Sequence, residues 1–537
     1  YFAPFDTAGA EEVAIQSLHG HFPKPGMIVA VDRTGLALTG VLGFPDDPGV
    51  DVHVVASRHG LAETFTPAVE AEAEAAAARP DDEGGARADF REWTTFTIDG
   101  ETAQDFDDAV SIRVLEGGRR LLGVHIADVS HYVRPETDLD REAYDRATSV
   151  YFPRKTLPML PERLSNDVCS LRPRVDRRAF SVLMEVDPDG RVVRSEFTPS
   201  LIRTTERLTY DAVFAVFEGD AGERSRLRAI IPDLLAMREL AAILRRRRLE
   251  AGSLDFDMIE PELVYSEGRL TGVAGFATNE AHKLIEEFMV SANVAVAGHL
   301  ARLAVPSIYR IHDKPDEADL EKLAEILAHF GIVLPKPALV RSHDLQAAIR
   351  AAAGKPAETF INVQVLRSLR MAVYADENIG HYGLAQTDYT HFTSPIRRYP
   401  DLLVHRVLKA VTRGGRLELP EIALQAAHCS ARERRADAAE KELTEWRIFR
   451  LLKERLGDEF TGVVTDIGRA GLIVALEEFM VEGTVAFADL GGDYFARKSP
   501  AVLAGRRTGR KFELGQELRV IVAAVDPMLR RLTLVPA

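Results

Sequence analysis

The segment Thr97–Ala109 reads TIDGETAQDFDDA and carries the strongest chemical signal in the chain. It places four aspartates within ten residues, at positions 99, 105, 107 and 108. If the backbone is extended there, Asp105 and Asp107 share a face because side chains alternate along a strand. The neighbours of these aspartates are apolar, which predicts that the cluster is partly buried. Crowded carboxylates in a partly buried place repel one another and need a cation.

Such a cluster has more than one interpretation. An EF-hand loop beginning at Asp105 needs an oxygen ligand at its fifth position and glycine at its sixth. The chain has Ala109 and Val110 there, so the EF-hand is excluded. A solvated acidic loop and a hard-cation site remain. Mg²⁺ prefers oxygen ligands and commonly bridges carboxylates to substrate phosphates, and two such ions about 3.5–4 Å apart can stabilise an in-line displacement. The residues alone leave this choice open.

Blocks further along the chain give the cluster a context. These blocks are Gly123–Val129 (GVHIADV), Leu157–Pro161 (LPMLP), Leu284–Met289 (LIEEFM) and His391–Tyr399 (HFTSPIRRY). In the order and spacing of these blocks and the aspartate segment, the chain resembles the RNase II/RNase R exoribonucleases, whose catalytic unit is the RNB domain. The resemblance covers about residues 90–455, and the RIHDKP and RRYPD motifs, at residues 310–315 and 397–401, resemble the RNase R branch more closely.

The resemblance implies a Mg²⁺-dependent, processive 3′-to-5′ exoribonuclease that hydrolyses RNA to nucleoside 5′-monophosphates. It implies that Asp99, Asp105, Asp107 and Asp108 are the catalytic and metal-binding carboxylates, for one or two Mg²⁺ ions or for Mn²⁺ as a substitute. Asp107 is the residue whose loss we expect to matter most, since it could orient or deprotonate the attacking water. Arg397 lies where the family places an arginine on the scissile phosphate, and its planar fork suits phosphate oxygens.

Further RNA contacts follow from the same resemblance. Tyr151 and Phe256 match the aromatic residues that clamp the terminal bases, and stacking suits an enzyme that must accept any sequence. The residues alone favour an ordinary strand core residue at Phe256 over a base-stacking residue. Tyr210 and Glu286 match positions that read the ribose, where a phenol or carboxylate can recognise the 2′-hydroxyl.

Two positions carry weaker assignments. Arg398 is an RNA-binding candidate beside Arg397, with a structural role as the alternative. Glu440 matches a family position near the site, although the RNase R branch does not keep an acid there. The spacing of His125, Asp128 and His131 also fits metal ligands, but structural histidines are far more common, and we expect a structural role.

The rest of the pattern predicts an α+β chain with small β-barrel modules at both ends. The apolar runs 27–31, 37–43 and 50–55 are separated by turn residues and indicate an OB-like, cold-shock-like barrel with a helix at 62–78. Long helices are predicted at 230–249, 282–303 and 423–456, and a strand at 121–126. The predicted domains are a cold-shock-like module at 1–78, a linker at 79–88, the RNB domain at 89–456 and a ribosomal S-one-like OB module at 457–537.

The C-terminal module has a basic character of its own. Six cations occur between Phe495 and Phe512 with no acid among them, and such a loop is suited to tracking RNA phosphates. The second strand lacks the aromatic pair usual in the family, so stacking on that face should be weaker. The six cations are Arg497, Lys498, Arg506, Arg507, Arg510 and Lys511.

Charge and composition set limits on partners and compartment. Residues 1–108 hold 21 Asp and Glu against 6 Lys and Arg, an excess equal to the net charge of −15 of all 537 residues. The remaining chain is balanced, so the acidic total does not exclude RNA, and the N-terminal module should contribute little phosphate affinity. Only two cysteines occur, which excludes a disulfide framework and fits a cytoplasmic location. The chain contains no run of eighteen apolar residues, so the sequence predicts no membrane span.

The expected partners are therefore single-stranded RNA 3′ ends and structured RNA with a 3′ overhang, with the protein acting as a monomer. A non-catalytic RNA-binding protein on the same scaffold is the alternative. It is disfavoured because none of the four carboxylates is missing.

Overall fold

The computed structural model describes residues 14–32, 34, 37–80, 87–256, 259–355 and 357–537. Most of the predicted linker at 79–88 therefore lies outside the described residues. The strands are β1 (Ile28–Val31), β2 (Leu38–Gly43), β3 (Ala88–Asp89), β4 (Phe96–Asp99), β5 (Asp108–Val114), β6 (Arg120–Ala127), β7 (Val150–Phe152), β8 (Lys155–Leu157), β9 (Asp176–Val186), β10 (Val192–Arg203), β11 (Glu206–Thr209), β12 (Glu260–Ser266), β13 (Arg269–Phe276), β14 (Tyr309–Ile311), β15 (Val373–Ala375), β16 (Glu459–Ile467), β17 (Gly471–Leu476), β18 (Val481–Ala486), β19 (Phe495–Ser499), β20 (Val502–Gly505), β21 (Lys511–Glu513), β22 (Glu517–Asp526) and β23 (Arg531–Pro536). The α-helices are α1 (Val50–Arg58), α2 (Pro67–Ala77), α3 (Val129–Tyr132), α4 (Asp138–Arg146), α5 (Tyr210–Glu218), α6 (Ala221–Arg226), α7 (Ile231–Glu250), α8 (Glu280–Arg302), α9 (Glu317–His329), α10 (Ser342–Ala352), α11 (Glu358–Ser368), α12 (Tyr399–Thr412) and α13 (Ile422–Lys453).

A seven-stranded sheet forms the centre of the protein, in the order β11-β4-β5-β6-β9-β10-β3. The two outer pairs are parallel and the inner strands are antiparallel. Strand β4 ends at Asp99 and its neighbour β5 begins at Asp108. The predicted carboxylates therefore lie together at the end of these two strands, where the chain passes from β4 to β5.

The helices predicted from periodicity are confirmed as α7, α8 and α13, and the predicted strand at 121–126 is part of β6. Helix α8 packs on β6 and β9 and buries Phe288, Val296 and Leu300 in the main core. By length and composition alone, α8 is the one helix in the described part of the chain that could span a membrane, and half of its apolar window is buried in the protein. Its apolar character is accounted for by this packing.

The small β-barrel predicted at the C-terminal end is present. Strands β16, β17, β18, β23 and β22 form a closed barrel. A small sheet of β19, β20 and β21 is inserted between β18 and β22. The barrel core is continuous with buried residues of the preceding helices, including Leu320 of α9, Leu345 of α10 and Ile361 of α11.

The N-terminal prediction is partly wrong. The run at 50–55, predicted as a third strand, lies in helix α1, and β1 and β2 are the only strands among the described residues up to position 80. These described residues therefore form no OB-like barrel. A short β-branched apolar run cannot distinguish strand from helix by itself. Here packing decides, because Val55 joins a small core with Leu443 and Trp446 of α13.

Buried polar residues on the sheet confirm the structural role expected for His125. Its ring lies between the hydroxyls of Ser111 (2.9 Å) and Ser181 (2.7 Å), and burial lowers its pKa to about 3. Both cysteines are buried and free.

Asp128 is a fully buried carboxylate held by two cations. Its oxygens lie 2.7 and 3.0 Å from Lys409 Nζ and 2.8 Å from Arg87 Nη2. Burial alone raises the pKa of Asp128, but the charges of Lys409 and Arg87 outweigh burial and hold that pKa below its usual value. The pair joins α12 to the end of β6.

Replacing Lys409 with methionine should therefore destabilise the fold. We expect Lys409→Met to lower the free energy of unfolding by about 3 kcal/mol, near the low end for a broken buried pair, because Arg87 still faces the carboxylate. Equilibrium urea unfolding measures this. The control Lys441→Met removes a side chain that is 75% exposed and should change stability by less than about 0.5 kcal/mol. Equal losses in the two variants would contradict this role for Lys409.

Candidate active site

The four aspartates occupy the connection between β4 and β5, which bends back so that both strand ends face the same space. Asp99 is the last residue of β4 and Asp108 the first of β5. Asp105 and Asp107 lie in the irregular segment between them. The charges of Asp105 and Asp108 act on both Asp99 and Asp107, which shows that the four carboxyl groups form one electrostatic cluster.

Asp107 is the most buried of the four, with 4% of its surface exposed. Its Oδ1 accepts a hydrogen bond from the Ile396 backbone N–H at 2.8 Å. Its Oδ2 lies 3.5 Å from Arg397 Nε and has no hydrogen-bond partner. Arg397 in turn donates from Nη2 to Ser394 Oγ at 3.0 Å and keeps 42% of its side chain exposed. The guanidinium therefore lies beside the cluster and remains open to a ligand.

Burial dominates the electrostatics of the cluster. It raises the pKa of Asp107 well above its usual value, and the charge of Arg397 and the N–H of Ile396 oppose only part of that rise. Burial and then the negative charge of Asp108 raise the pKa of Asp99. Burial also raises the pKa of Asp108. Without a cation, these carboxyl groups are thus hard to ionise together.

The donor set fits a hard cation. The Oδ2 atoms of Asp99 and Asp107 are buried without hydrogen-bond partners, and carboxylate oxygens are the ligands that Mg²⁺ prefers. Among the residues that the structure describes, no three Asp, Glu, His or Cys side chains are arranged to hold a metal ion. The assignment of Asp99, Asp105, Asp107 and Asp108 as metal ligands therefore stays a prediction, supported by their chemistry and their unpaired oxygens.

Tyr151 connects the cluster to helix α13. It lies on β7 with 40% of its surface exposed, and its hydroxyl donates to Asp105 Oδ2 at 3.1 Å. Its backbone N–H donates to Glu440 Oε1 at 2.6 Å. Burial raises the pKa of Glu440 to about 7. The structure thus brings Tyr151 to the carboxylates and places Glu440 behind it.

The two residues predicted to recognise the ribose, Tyr210 and Glu286, have different surroundings. Tyr210 begins α5 and stacks on His282 at 3.8 Å between ring centroids. Burial and then the charges of Asp108 and Asp99 raise the pKa of Tyr210, which places it beside the cluster. Glu286 instead pairs with Arg248, at 2.9 Å. No described contact joins Glu286 to the carboxylates.

Phe256 lies in the segment between α7 and β12, not in a strand. It is partly buried against the core that joins the C-terminal barrel to its neighbouring helices. No described ring contact joins Phe256 to Tyr151. The proposed pairing of these two rings on terminal bases stays a prediction.

The geometry favours the structural alternative for Arg398. Its Nε and Nη2 donate to the two carboxylate oxygens of Asp401 at 2.9 and 2.7 Å. Asp401 Oδ1 also accepts the Ser394 N–H at 2.8 Å. Arg398 therefore braces the turn that carries Arg397, which agrees with the structural alternative, and its assignment as an RNA contact stays a prediction.

The basic cluster of the C-terminal module lies on the inserted sheet β19–β21 and the turns around it. All six side chains are exposed, and in the described part of the chain no ion pair with an Asp or Glu side chain involves them. Tyr494 beside them is 83% exposed. The charges are thus available to a polyanion. The six residues are Arg497, Lys498, Arg506, Arg507, Arg510 and Lys511.

Ser170 and Arg207 bind the backbone of the aspartate segment, and no sequence pattern singled them out. Ser170 contacts the peptide groups on both sides of Asp105, and Arg207 contacts the carbonyls that follow Asp99. Both reach the segment only through the folded chain, because Ser170 is 64 positions from Phe106 and Arg207 is 107 positions from Gly100 in sequence. No local pattern could have revealed them.

Comparison with known proteins places this site in a family. The family model of the RNB domain matches residues 87–414. The Ribonuclease R of Aquifex aeolicus is 41% identical over 493 residues, covering 90% of this chain and 70% of that protein. Ribonuclease R 1 of Lactococcus lactis is 40% identical over 504 residues, covering 91% of this chain and 61% of that protein. The chain thus spans less than two thirds of the length of the Lactococcus relative.

The fold agrees with this match. The structure of Mycoplasma genitalium RNase R in complex with ribose-methylated single-stranded RNA superposes with a TM-score of 0.89 at 25% identity. The superposition covers 98% of this chain and 85% of the Mycoplasma chain. The matched range contains the four aspartates, Tyr151, Tyr210 and Arg397. The Aquifex and Lactococcus proteins that it resembles are named ribonucleases R, and the chain therefore belongs to the RNB-domain family.

Proposed function

We propose that this chain is a Mg²⁺-dependent, processive 3′-to-5′ exoribonuclease of the RNase R type, which hydrolyses RNA to nucleoside 5′-monophosphates. The observation that carries the proposal is the buried carboxylate cluster with unpaired oxygens on Asp99 and Asp107 beside the accessible Arg397. Its substrates would be single-stranded 3′ ends and structured RNA with a 3′ overhang. We further propose that it works as a monomer in the cytoplasm.

The side chains divide the chemistry between them. The oxygen of a water molecule attacks the phosphorus of the last phosphodiester, and the bond from phosphorus to the O3′ of the shortened strand breaks. That O3′ leaves and takes up a proton from solvent, and the released nucleotide keeps the 5′-phosphate. Asp107 would orient the water or accept its proton. Arg397 would hold the non-bridging oxygens, where negative charge develops in the transition state. A guanidinium suits this task because its fork matches two phosphate oxygens.

Asp99, Asp105, Asp107 and Asp108 would hold one or two Mg²⁺ ions, with Mn²⁺ as a substitute. When bound, such a cation supplies charge stabilisation at the attacking and leaving oxygens. The unpaired oxygens of Asp99 and Asp107 support this assignment, because they are costly to bury without a partner.

Binding would combine stacking with phosphate contacts. Tyr151 and Phe256 would stack on bases, which every nucleotide permits. Tyr210 and Glu286 would recognise the 2′-hydroxyl that distinguishes RNA from DNA. The exposed basic cluster of the inserted sheet would hold phosphates further along the strand, which makes binding sensitive to salt.

A catalytically weak RNA-binding protein on the same scaffold is the second candidate. The completeness of the carboxylate cluster disfavours it. The substitution Asp107→Asn distinguishes the exoribonuclease from the non-catalytic RNA-binding protein.

Asp107→Asn should abolish most of the activity while RNA binding persists. We expect the rate of mononucleotide release from end-labelled poly(A) to fall by at least about 100-fold, the scale of losing a general base. Binding of the same RNA should remain in a filter assay. The control Asp138→Asn removes an exposed carboxylate of α4 and should leave the rate unchanged. An unchanged rate in Asp107→Asn would support the non-catalytic candidate.

Mg²⁺ should stabilise the protein through the same cluster. A ligand that binds only the folded state at about 100 times its dissociation constant adds about 2.7 kcal/mol, so the melting temperature should rise by a few degrees over that in EDTA. Asp107→Asn should lose most of this rise. If EDTA-treated and Mg²⁺-loaded proteins melt alike and degrade RNA equally, the metal assignment is wrong.

Digestion of structured RNA would distinguish an RNase R-like enzyme from an RNase II-like enzyme. If the chain is RNase R-like, a duplex with a short 3′ overhang should be digested through the paired region without another protein. A single strand of the same sequence controls for intrinsic activity, and Asp107→Asn controls for contamination. A product that stops at the edge of the duplex would place the chain functionally with RNase II.

A further inference from the structure

Ser170 holds the backbone around Asp105 with a single hydroxyl. Its Oγ donates to the carbonyl oxygen of Gln104 at 2.7 Å and accepts the N–H of Phe106 at 3.0 Å. These are the two residues that flank Asp105. The hydroxyl therefore fixes both peptide groups next to one of the clustered carboxylates.

Ser170 is itself rigidly placed. It is fully buried and follows a π-helical turn at Arg163–Val168. Arg177 donates from Nε to the carbonyl of Ser170 at 2.8 Å and from Nη2 to the carbonyl of Asp167 at 3.0 Å. The next residue, Leu171, donates its N–H to the carbonyl of Phe106 at 3.0 Å. Three hydrogen bonds thus join the segment at 104–106 to the segment at 170–171.

The other end of the connection is held separately. Arg207 Nη2 donates to the carbonyls of Gly100 and Glu101 at 2.6 and 2.8 Å, and the guanidinium lies 5.6 Å from the centre of the Phe106 ring. The connection carries no regular secondary structure beyond the end of β4 at Asp99 and a turn. Its shape therefore depends on these side chains, against the mutual repulsion of the carboxylates.

We propose that Ser170 is a positioning residue that pre-orients Asp105 for binding of a divalent cation by the cluster. Side chains that orient a ligand without touching the metal tune its affinity. The inference rests on the proposed metal-dependent function. Ser170 is a sharper test than Arg207, because Ser170 is neutral and buried and can contact neither RNA nor solvent.

The experiment compares the full chain with Ser170→Ala and a matched control, Ser430→Ala. Ser430 is also buried, accepts the N–H of Tyr374 at 2.8 Å and donates to the carbonyl of Ala426 at 3.0 Å, but it flanks no carboxylate of the cluster. Each protein is titrated with Mg²⁺, with the melting temperature as one readout and the initial rate on single-stranded RNA as the other.

Ser170→Ala should raise the half-saturating Mg²⁺ concentration by at least about tenfold in both titrations. The KM for RNA at saturating Mg²⁺ should stay unchanged, and Ser430→Ala should match the wild type in both titrations. Ser170→Cys replaces the hydroxyl with a somewhat larger thiol at the same place and weakens both hydrogen bonds. It should shift the half-saturation in the same direction by a smaller factor, which covers the case in which Ser170→Ala does not fold.

A loss of stability in Ser170→Ala or Ser170→Cys with an unchanged Mg²⁺ half-saturation would overturn the inference and leave Ser170 a purely structural residue. The same holds if Ser170→Ala and Ser430→Ala behave alike. A wild-type protein that binds Mg²⁺ in the melting titration but never hydrolyses RNA would overturn the proposed function and not this inference, because the melting titration reports on the cation site alone.

Discussion

The repulsion among four carboxylates at the junction of β4 and β5 is the constraint on which this structure depends. Burial raises the pKa of Asp99, Asp107 and Asp108 and makes their joint ionisation costly. A cluster of this kind is kept only where neighbouring groups offset the charge. These groups include the guanidinium of Arg397, the N–H of Ile396 and the hydroxyl of Tyr151.

Meeting that constraint requires three segments that are distant in sequence. The aspartate segment is joined by the approach to β7 and by the turn before α12. The Ser149 N–H donates to the carbonyl of Arg397 at 3.0 Å, and the Tyr399 N–H donates to the carbonyl of Ala147 at 2.9 Å. The strand that carries Tyr151 and the turn that carries Arg397 are therefore one hydrogen-bonded unit. This is why Tyr151 reaches Asp105 while Arg397 reaches Asp107.

Much of the fold could be predicted from local patterns, and the exception is instructive. The helices α7, α8 and α13 follow from periodicity over long windows, where the signal is strong. The run at 50–55 was not predicted correctly, because its four valines, interrupted by Asp51 and His53, fit either period. Its contact with α13 decided for a helix. In the candidate site, local spacing singled out the aspartates, and the resemblance added Arg397 and Tyr151. The resemblance did not show that Arg398 donates two hydrogen bonds to the carboxylate of Asp401.

The amino-acid sequence by itself determined the chemistry of this protein: which residues carry charge, how closely the carboxylates are spaced, and which family the blocks resemble. Those are properties of composition and of short-range order, and they do not depend on how the chain folds. Only the tertiary structure decided which oxygens are left unpaired, that Arg397 lies beside Asp107 while Arg398 pairs with Asp401, and that Ser170 holds the backbone at Asp105. Each of these depends on contacts between segments far apart along the chain, whose relative positions are set by packing of the whole core and not by any local pattern.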